Sequence, residues 1–180
     1  VYLLPEWYAP YVGVELSSVA IDAYTEIWRE LLADLSQPQT LVLRDYHAEN
    51  ILVTDKKNLA VIDFQDALIG QAAYDVASLL EDARRDVDAG LAAELLAEEV
   101  MHTADPAAFA SDYAILAAQR NAKILGIFGR LIKRDNKPKY TQFLPRVEAH
   151  FRRDIGREGL ERLLPWVEKY LPGLMSGGKT

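Results

Sequence analysis

The sequence predicts a mainly helical α+β fold built around one small β-hairpin. Three observations carry this prediction. Two short apolar runs, Ile51-Leu52-Val53 and Leu59-Ala60-Val61-Ile62, flank the polar stretch 54–58, which is the pattern of two strands joined by a turn. A third strand-like run, Leu41-Val42-Leu43, precedes them across the charged stretch 44–50. After Gly70 the chain is helical in pattern almost without interruption.

Taken in order, residues 1–16 are punctuated by Pro5, Pro10 and Gly13 and read as an extended, surface-running connector. Ser17 or Ser18 then caps a helix. Its apolar residues (Val19, Ala20, Ala23, Tyr24, Ile27, Trp28, Leu31, Leu32 and Leu35) recur at spacings of three and four, and Gln37-Pro38-Gln39 ends it. The hairpin is expected to be buried, with a polar turn at Thr54-Asp55-Lys56-Lys57-Asn58. Beyond it, Tyr74–Ala83 reads as a buried helix and Ala89–Met101 as an amphipathic one. Asp105-Pro106, a capping residue followed by proline at the first helical position, launches a long helix to about Lys133. The stretch 134–138 breaks it, and helices over roughly 140–154 and 157–170 follow. Residues 17–175 are thus expected to form one lobe, with a disordered tail at 176–180.

Composition narrows the function. The 180 residues are half hydrophobic and carry a formal net charge of −7 with no long basic block, which argues against nucleic acid or a membrane surface as partner. Cysteine is absent, which removes thiolate metal sites and fits a cytoplasmic location. No apolar run approaches the roughly 18 residues of a membrane span.

The hairpin and the loop before it hold the chemistry. In Val42–Gln65, VLRDYHAENILVTDKKNLAVIDFQ, strand pairing would bring Asp45, Asn50 and Asp63 toward one point. Such an oxygen-rich set suits Mg²⁺, a hard ion that needs only one or two protein ligands beside phosphate and water. Phosphoryl transfer requires an in-line hydroxyl and neutralised phosphate charge. Asp45 is placed to accept the hydroxyl proton, Asn50 and Asp63 to hold the metal, and Arg44 and His47 to meet phosphate oxygens. The plainer reading is that Asp and Asn in a turn satisfy local backbone groups.

LRDYHAEN followed by VIDFQDA resembles the catalytic and metal loops of protein-kinase-like phosphotransferases, above all the aminoglycoside phosphotransferase family with its pattern H-x-D-x-H-x-x-N then I-D-[FW]. The resemblance implies the C-terminal lobe of a kinase-like fold, ATP as donor and Mg²⁺ as cofactor. It makes Asp45 the catalytic base, Asn50 and Asp63 the metal ligands, and His47 a neighbour of the transferred phosphate. Asp75, in AAYDVASLL, matches the family's aspartate that hydrogen-bonds the catalytic-loop backbone. RDYHAEN, DFQDA, YDVASLLEDARRDV and AQRNAKILGIFGRL together resemble the anomeric sugar kinases of bacterial cell-wall recycling, which phosphorylate N-acetylmuramic acid and N-acetylglucosamine at C1. An aminoglycoside or other small-molecule hydroxyl is the alternative acceptor, and a non-catalytic kinase-like module is the alternative of another class. Two departures stand out: Leu43 replaces the pattern's first His, and Gln65 stands where protein kinases have Gly. A Gly-rich loop and a strand-borne Lys, elements of the nucleotide-covering N-terminal lobe, have no counterpart in the sequence.

Other candidates are softer. Arg120 and Lys123 fall on neighbouring turns of the long helix, where they would contact the ring hydroxyls or acidic group of a sugar, form a solvated stripe, or pair with the acidic helix at 81–99. Gly126 and Gly129 on the same helix suggest close packing. Asp66 orients substrate or the metal loop, or caps a turn, and Arg84-Arg85 read as surface ion-pair formers with substrate contact as the alternative. Trp7, Tyr8 and Tyr11 either line a cleft edge or pack, and His102 and His150 read as surface or helix-end residues.

Overall fold

The computed structural model describes residues 2–55 and 58–177, so Lys56, Lys57 and the last three residues of the expected tail lie outside the described residues. The architecture is α+β and mainly α, as the sequence predicts: a largely helical chain with two antiparallel two-stranded sheets among the described residues. The chain forms two compact units, one of residues Leu35–Ala117, the other of the described residues in 1–34 and 118–180.

The unit Leu35–Ala117 carries all the strands. β1 (Thr40–Val42) pairs with β4 (Leu68–Gly70), and β2 (Ile51–Val53) with β3 (Leu59–Val61), registering Ile51 against Val61 and Val53 against Leu59. The sequence pattern did not single out β4, whose apolar residues Leu68 and Ile69 run directly into Gly70. The expected burial of the hairpin does not hold: Ile51 and Val61 are half-buried, whereas Val53 and Leu59 are 73% and 68% exposed. An apolar run this short does not distinguish a covered strand from one whose far end projects from the core.

The core of this unit is a three-helix layer. Ala73 and Ala77 of α3 (Ala73–Leu80) meet Phe109, Tyr113, Leu116 and Ala117 of α5 (Pro106–Lys133), with Leu96 and Val100 of α4 (Ala89–His102) packed on the edge. α4 starts at the expected Ala89, where Asp88 accepts from the Leu91 N–H at 2.9 Å, and α5 starts where its cap predicts, with Asp105 accepting from the Ala108 N–H at 3.0 Å. α3 ends at Leu80 rather than at Ala83. There the buried Asp82 bonds the Arg84 N–H at 2.8 Å, and the buried Glu81 accepts from the Tyr113 hydroxyl at 2.9 Å, local bonds that compete with a further turn.

The other unit is helical. α2 (Ser18–Ala33) is capped by Ser17, whose hydroxyl accepts from the Ala20 N–H at 3.2 Å. It buries Ala20, Tyr24, Trp28 and Leu31, a narrower stripe than the sequence suggests, with Val19 at 72% exposure. Trp166 of α7 (Leu163–Tyr170) donates to the Ala20 carbonyl at 2.9 Å and packs on the Tyr24 ring at 4.7 Å. The expected helix over 157–170 begins only at Leu163, because Gly159 turns the chain with φ of 86°. α6 (Leu144–Asp154) follows a 3₁₀ turn at Pro138–Phe143, and the short α8 (Pro172–Met175) follows α7.

Residues expected to run extended fold instead: a π-helical turn at Leu4–Tyr8 leads into α1 (Ala9–Tyr11) and buries Leu4, Tyr8 and Ala9. Pro5 and Pro10 sit in the first positions of these turns, where a missing N–H has no partner to lose, so they start helix rather than interrupt it. Backbone contact with α5 locks the segment in place. A β-carbon on Gly126 would overlap the Leu3 carbonyl group, and one on Gly129 would lie 2.8 Å from the Trp7 carbonyl oxygen. Lys133 donates to the Pro10 carbonyl at 2.9 Å, and the Arg134 guanidinium lies 5.8 Å from the Trp7 ring centre. Among the described residues, no helix is long and apolar enough to cross a membrane.

Candidate active site

The loop between β1 and β2 is shaped by one carboxylate beneath it. Asp75, in the first turn of α3, accepts the Leu43 N–H at 2.6 Å and the Arg44 N–H at 2.9 Å. Two consecutive amides converging on one acid hold Arg44 in a left-handed conformation, φ 70°, that a side chain other than glycine rarely adopts. The Ser78 hydroxyl, also on α3, reaches the Arg44 carbonyl at 3.5 Å. The loop therefore reverses sharply and presents Asp45 to solvent.

From Asp45 the backbone winds through linked bonds. The Asp45 carbonyl accepts the His47 N–H at 3.0 Å and the Asn50 side-chain amide at 2.9 Å. Asn50 closes a 3₁₀ turn, Ala48–Asn50, and is buried. Its own carbonyl accepts the Ile62 N–H at 3.0 Å, one step beyond the Ile51–Val61 pair, so the hairpin register delivers Asp63 beside it. The Asn50 amide nitrogen is 3.5 Å from Asp63 Oδ2. Asp63 is itself left-handed, φ 62°, a second rare conformation in the same cluster.

The predicted residues distribute as follows. Asp45, His47, Asn50 and Asp63 come together, with Arg44 and Asp75 directly behind them. His47 is buried, its Nε2 3.5 Å from the Asn50 amide, so the ring faces the amide more than solvent. Asp66 is exposed, and its backbone carbonyl meets Arg44 Nη1 at 3.4 Å. Arg120 and Lys123 belong to the other unit; Arg120 is buried, which does not fit a solvated stripe. Its neighbour Asn121 donates to the fully buried Asp154 at 2.8 Å.

Two partners escaped the sequence reading. Arg84 forms an ion pair at 3.3 Å with Glu49 and so ties the end of α3 to the 3₁₀ turn carrying Asn50. Gln65 donates through Nε2 to Asp63 Oδ1 at 2.9 Å. Position 65 is visible in the sequence as a departure from glycine, but its partner is not. Tyr8 and Tyr11, read as possible cleft residues, line a cavity of about 420 Å³ in the helical unit together with Glu148, Arg152, Leu171 and Leu174. The buried Tyr8 hydroxyl donates to Glu148 at 2.8 Å.

The donor set fits a hard divalent cation. The Asn50 side chain holds the Asp45 carbonyl through its nitrogen, and its oxygen is bonded by none of the described residues. Asp63 adds a carboxylate within reach of the same amide. One amide and one carboxylate are too few for a closed protein cage, and among the described residues no three His, Cys, Asp or Glu gather at a point. They match Mg²⁺ bound largely by phosphate and water.

The model of the phosphotransferase enzyme family matches residues 2–118, more than half of the chain and the whole of this loop-and-hairpin arrangement. The chain belongs to that family. Among its relatives are proteins named N-acetylmuramate/N-acetylglucosamine kinase. The one from Caulobacter vibrioides is 32% identical over 174 residues, covering 93% of this chain and 48% of the relative. Its counterpart in Pseudomonas putida is 37% identical over 170 residues, covering 87% and 49%. A third, from Neisseria meningitidis, is 32% identical over 164 residues, covering 84% and 48%. The chain spans about half the length of the curated relatives it matches.

Proposed function

We propose that the protein is an ATP- and Mg²⁺-dependent kinase whose acceptor is the anomeric hydroxyl of N-acetylmuramate or N-acetylglucosamine, acting in the cytoplasm. The observation that carries this reading is the state of Asp45. Its backbone is fixed by His47 and Asn50, while its exposed carboxylate is bonded by none of the described residues. A carboxylate held in place by its main chain and open at its oxygens is suited to take a proton from an incoming hydroxyl.

In the proposed reaction the sugar oxygen attacks the γ-phosphorus as its proton passes to Asp45, and the bond to the bridging oxygen breaks to release ADP. Asn50 and Asp63 would hold Mg²⁺, which when bound neutralises charge on the phosphate chain. Arg44, whose Nη1 meets the Asp66 carbonyl at 3.4 Å, would supply a cation to the phosphate oxygens. His47 backs the Asn50 amide, and Asp75 keeps the whole loop in register. Positioning and charge neutralisation would supply most of the acceleration. We place the elements that cover the nucleotide, a Gly-rich loop and a strand Lys, in polypeptide outside this chain, since the sequence has neither and the relatives are about twice its length.

The names of the relatives support the acceptor. An aminoglycoside or other polyol is the competing acceptor within the same chemistry. ADP release by the intact protein, measured over a panel of amino sugars and aminoglycosides, separates the two. Turnover is expected with the N-acetylated sugars, and none with any of them would reject the acceptor. Asp45→Asn should lower kcat by at least about 100-fold with little change in ATP binding; an unchanged kcat would reject Asp45 as base, whereas no turnover with any acceptor of the panel would leave the non-catalytic module as the better reading.

A further inference from the structure

Asp63 offers two carboxylate oxygens, and the structure treats them unequally. Oδ1 accepts a hydrogen bond from Gln65 Nε2 at 2.9 Å. Oδ2 has only the long 3.5 Å approach of the Asn50 amide nitrogen, which is committed to the Asp45 carbonyl at 2.9 Å. The direction of the Gln65 contact is not in doubt chemically, because only the NH₂ end of an amide donates to a carboxylate. The left-handed turn at Asp63 brings the side chain two residues on back against it, so that the bond is local and closed. A cation arriving at Asp63 meets one oxygen already engaged and one open.

This asymmetry discriminates between ions. Mg²⁺ is small, takes six ligands in near-ideal octahedral geometry, and is bound through single carboxylate oxygens. Ca²⁺ takes six to eight ligands in a flexible shell and readily accepts both oxygens of one carboxylate. We infer that Gln65 is a specificity-determining residue: by hydrogen-bonding Oδ1 it favours one-oxygen binding through Oδ2 and so favours Mg²⁺ over Ca²⁺. Gln65 is a positioning residue, acting through Asp63. The inference rests on the proposed reading of Asp63 as a metal ligand and deepens it.

The test is equilibrium binding of each cation by the intact protein with a non-hydrolysable ATP analogue, followed by calorimetry. Gln65→Met keeps the length of the side chain and removes the donor. It should move the ratio of Mg²⁺ to Ca²⁺ affinity toward Ca²⁺ by about fivefold, the net worth of one ordinary hydrogen bond. Because Gln65 is exposed, the thermal midpoint without metal should stay at the wild-type value, which separates selectivity from folding. A ratio within twofold of wild type, together with an Asp63→Ala variant that has lost both cations, would overturn the role of Gln65 alone. If Asp63→Ala binds both cations as wild type does, Asp63 holds no metal, and the inference falls together with the reading beneath it.

Discussion

Asp75 shows how one residue can fix the geometry of several. Its carboxylate takes two consecutive amides of the loop and so supports the left-handed Arg44, a conformation that by itself costs about 1–2 kcal/mol. Asp75→Asn retains one acceptor oxygen but turns an NH₂ toward a second N–H. We expect a loss of about 2 kcal/mol of unfolding free energy, read by denaturant titration, together with a fall in kcat as Asp45 loses its fixed backbone. A stability equal to wild type would show that the loop is held by other contacts. At this scale the sequence was informative about identities and silent about partners. Asp45, Asn50 and Asp63 stand out because an acid, an amide and an acid at those spacings flank a turn. The partners of Gln65 and Glu49 do not stand out, because a hydrogen bond two residues away and an ion pair across 35 positions leave no local periodicity.

Among elements, the long helix α5 is the most legible, and what packs on it the least. Its start and end follow from Asp105-Pro106 and from the break after Lys133, and its two glycines announce a close neighbour. The neighbour is the segment Leu4–Tyr11, which the sequence suggested was extended because its prolines look like interruptions. The physical lesson is positional: proline breaks a helix from within and starts one from its first turn. Gly126→Ala should therefore be poorly tolerated. Its β-carbon would meet the backbone of Leu3, which cannot rotate away as a side chain would, so overpacking of about 1–3 kcal/mol is expected. A thermal melt of the variant gives the answer; a midpoint equal to wild type would mean that the Leu4–Tyr11 segment shifts at no cost. The hairpin teaches the converse. Its pairing and register followed from two apolar runs and a polar turn, but its burial did not, since coverage of a strand depends on what lies above it.

For the molecule as a whole, two buried tyrosines set an alkaline limit on stability. Burial pushes the pKa of both the Tyr8 and Tyr24 phenols well above the ordinary value, and for Tyr8 the neighbouring Glu148 charge pushes in the same direction. A raised pKa in the folded state means that the native protein keeps protons which the unfolded chain releases above roughly pH 10. Stability from these groups is intact below that pH and declines above it, by about 1.4 kcal/mol per pH unit for each tyrosine. Urea unfolding between pH 9 and pH 11 should show this slope, and Tyr8→Phe should reduce it; a flat profile would mean that neither phenol stays protonated in the native state. The sheets impose a limit of another kind. Leu41, Val53, Leu59, Phe64 and Ile69 are each at least 60% exposed on or beside strands only three residues long, none of which has pairing on both edges. Apolar side chains next to open backbone edges are adhesive toward other chains of the same kind, and no lysine or proline among those five positions blunts them. For this polypeptide handled by itself, the colloidal hazard is concentrated in the same few strands that carry Asn50 and Asp63 to their places, so the feature that assembles the metal ligands is also the one that limits how concentrated a solution can be kept.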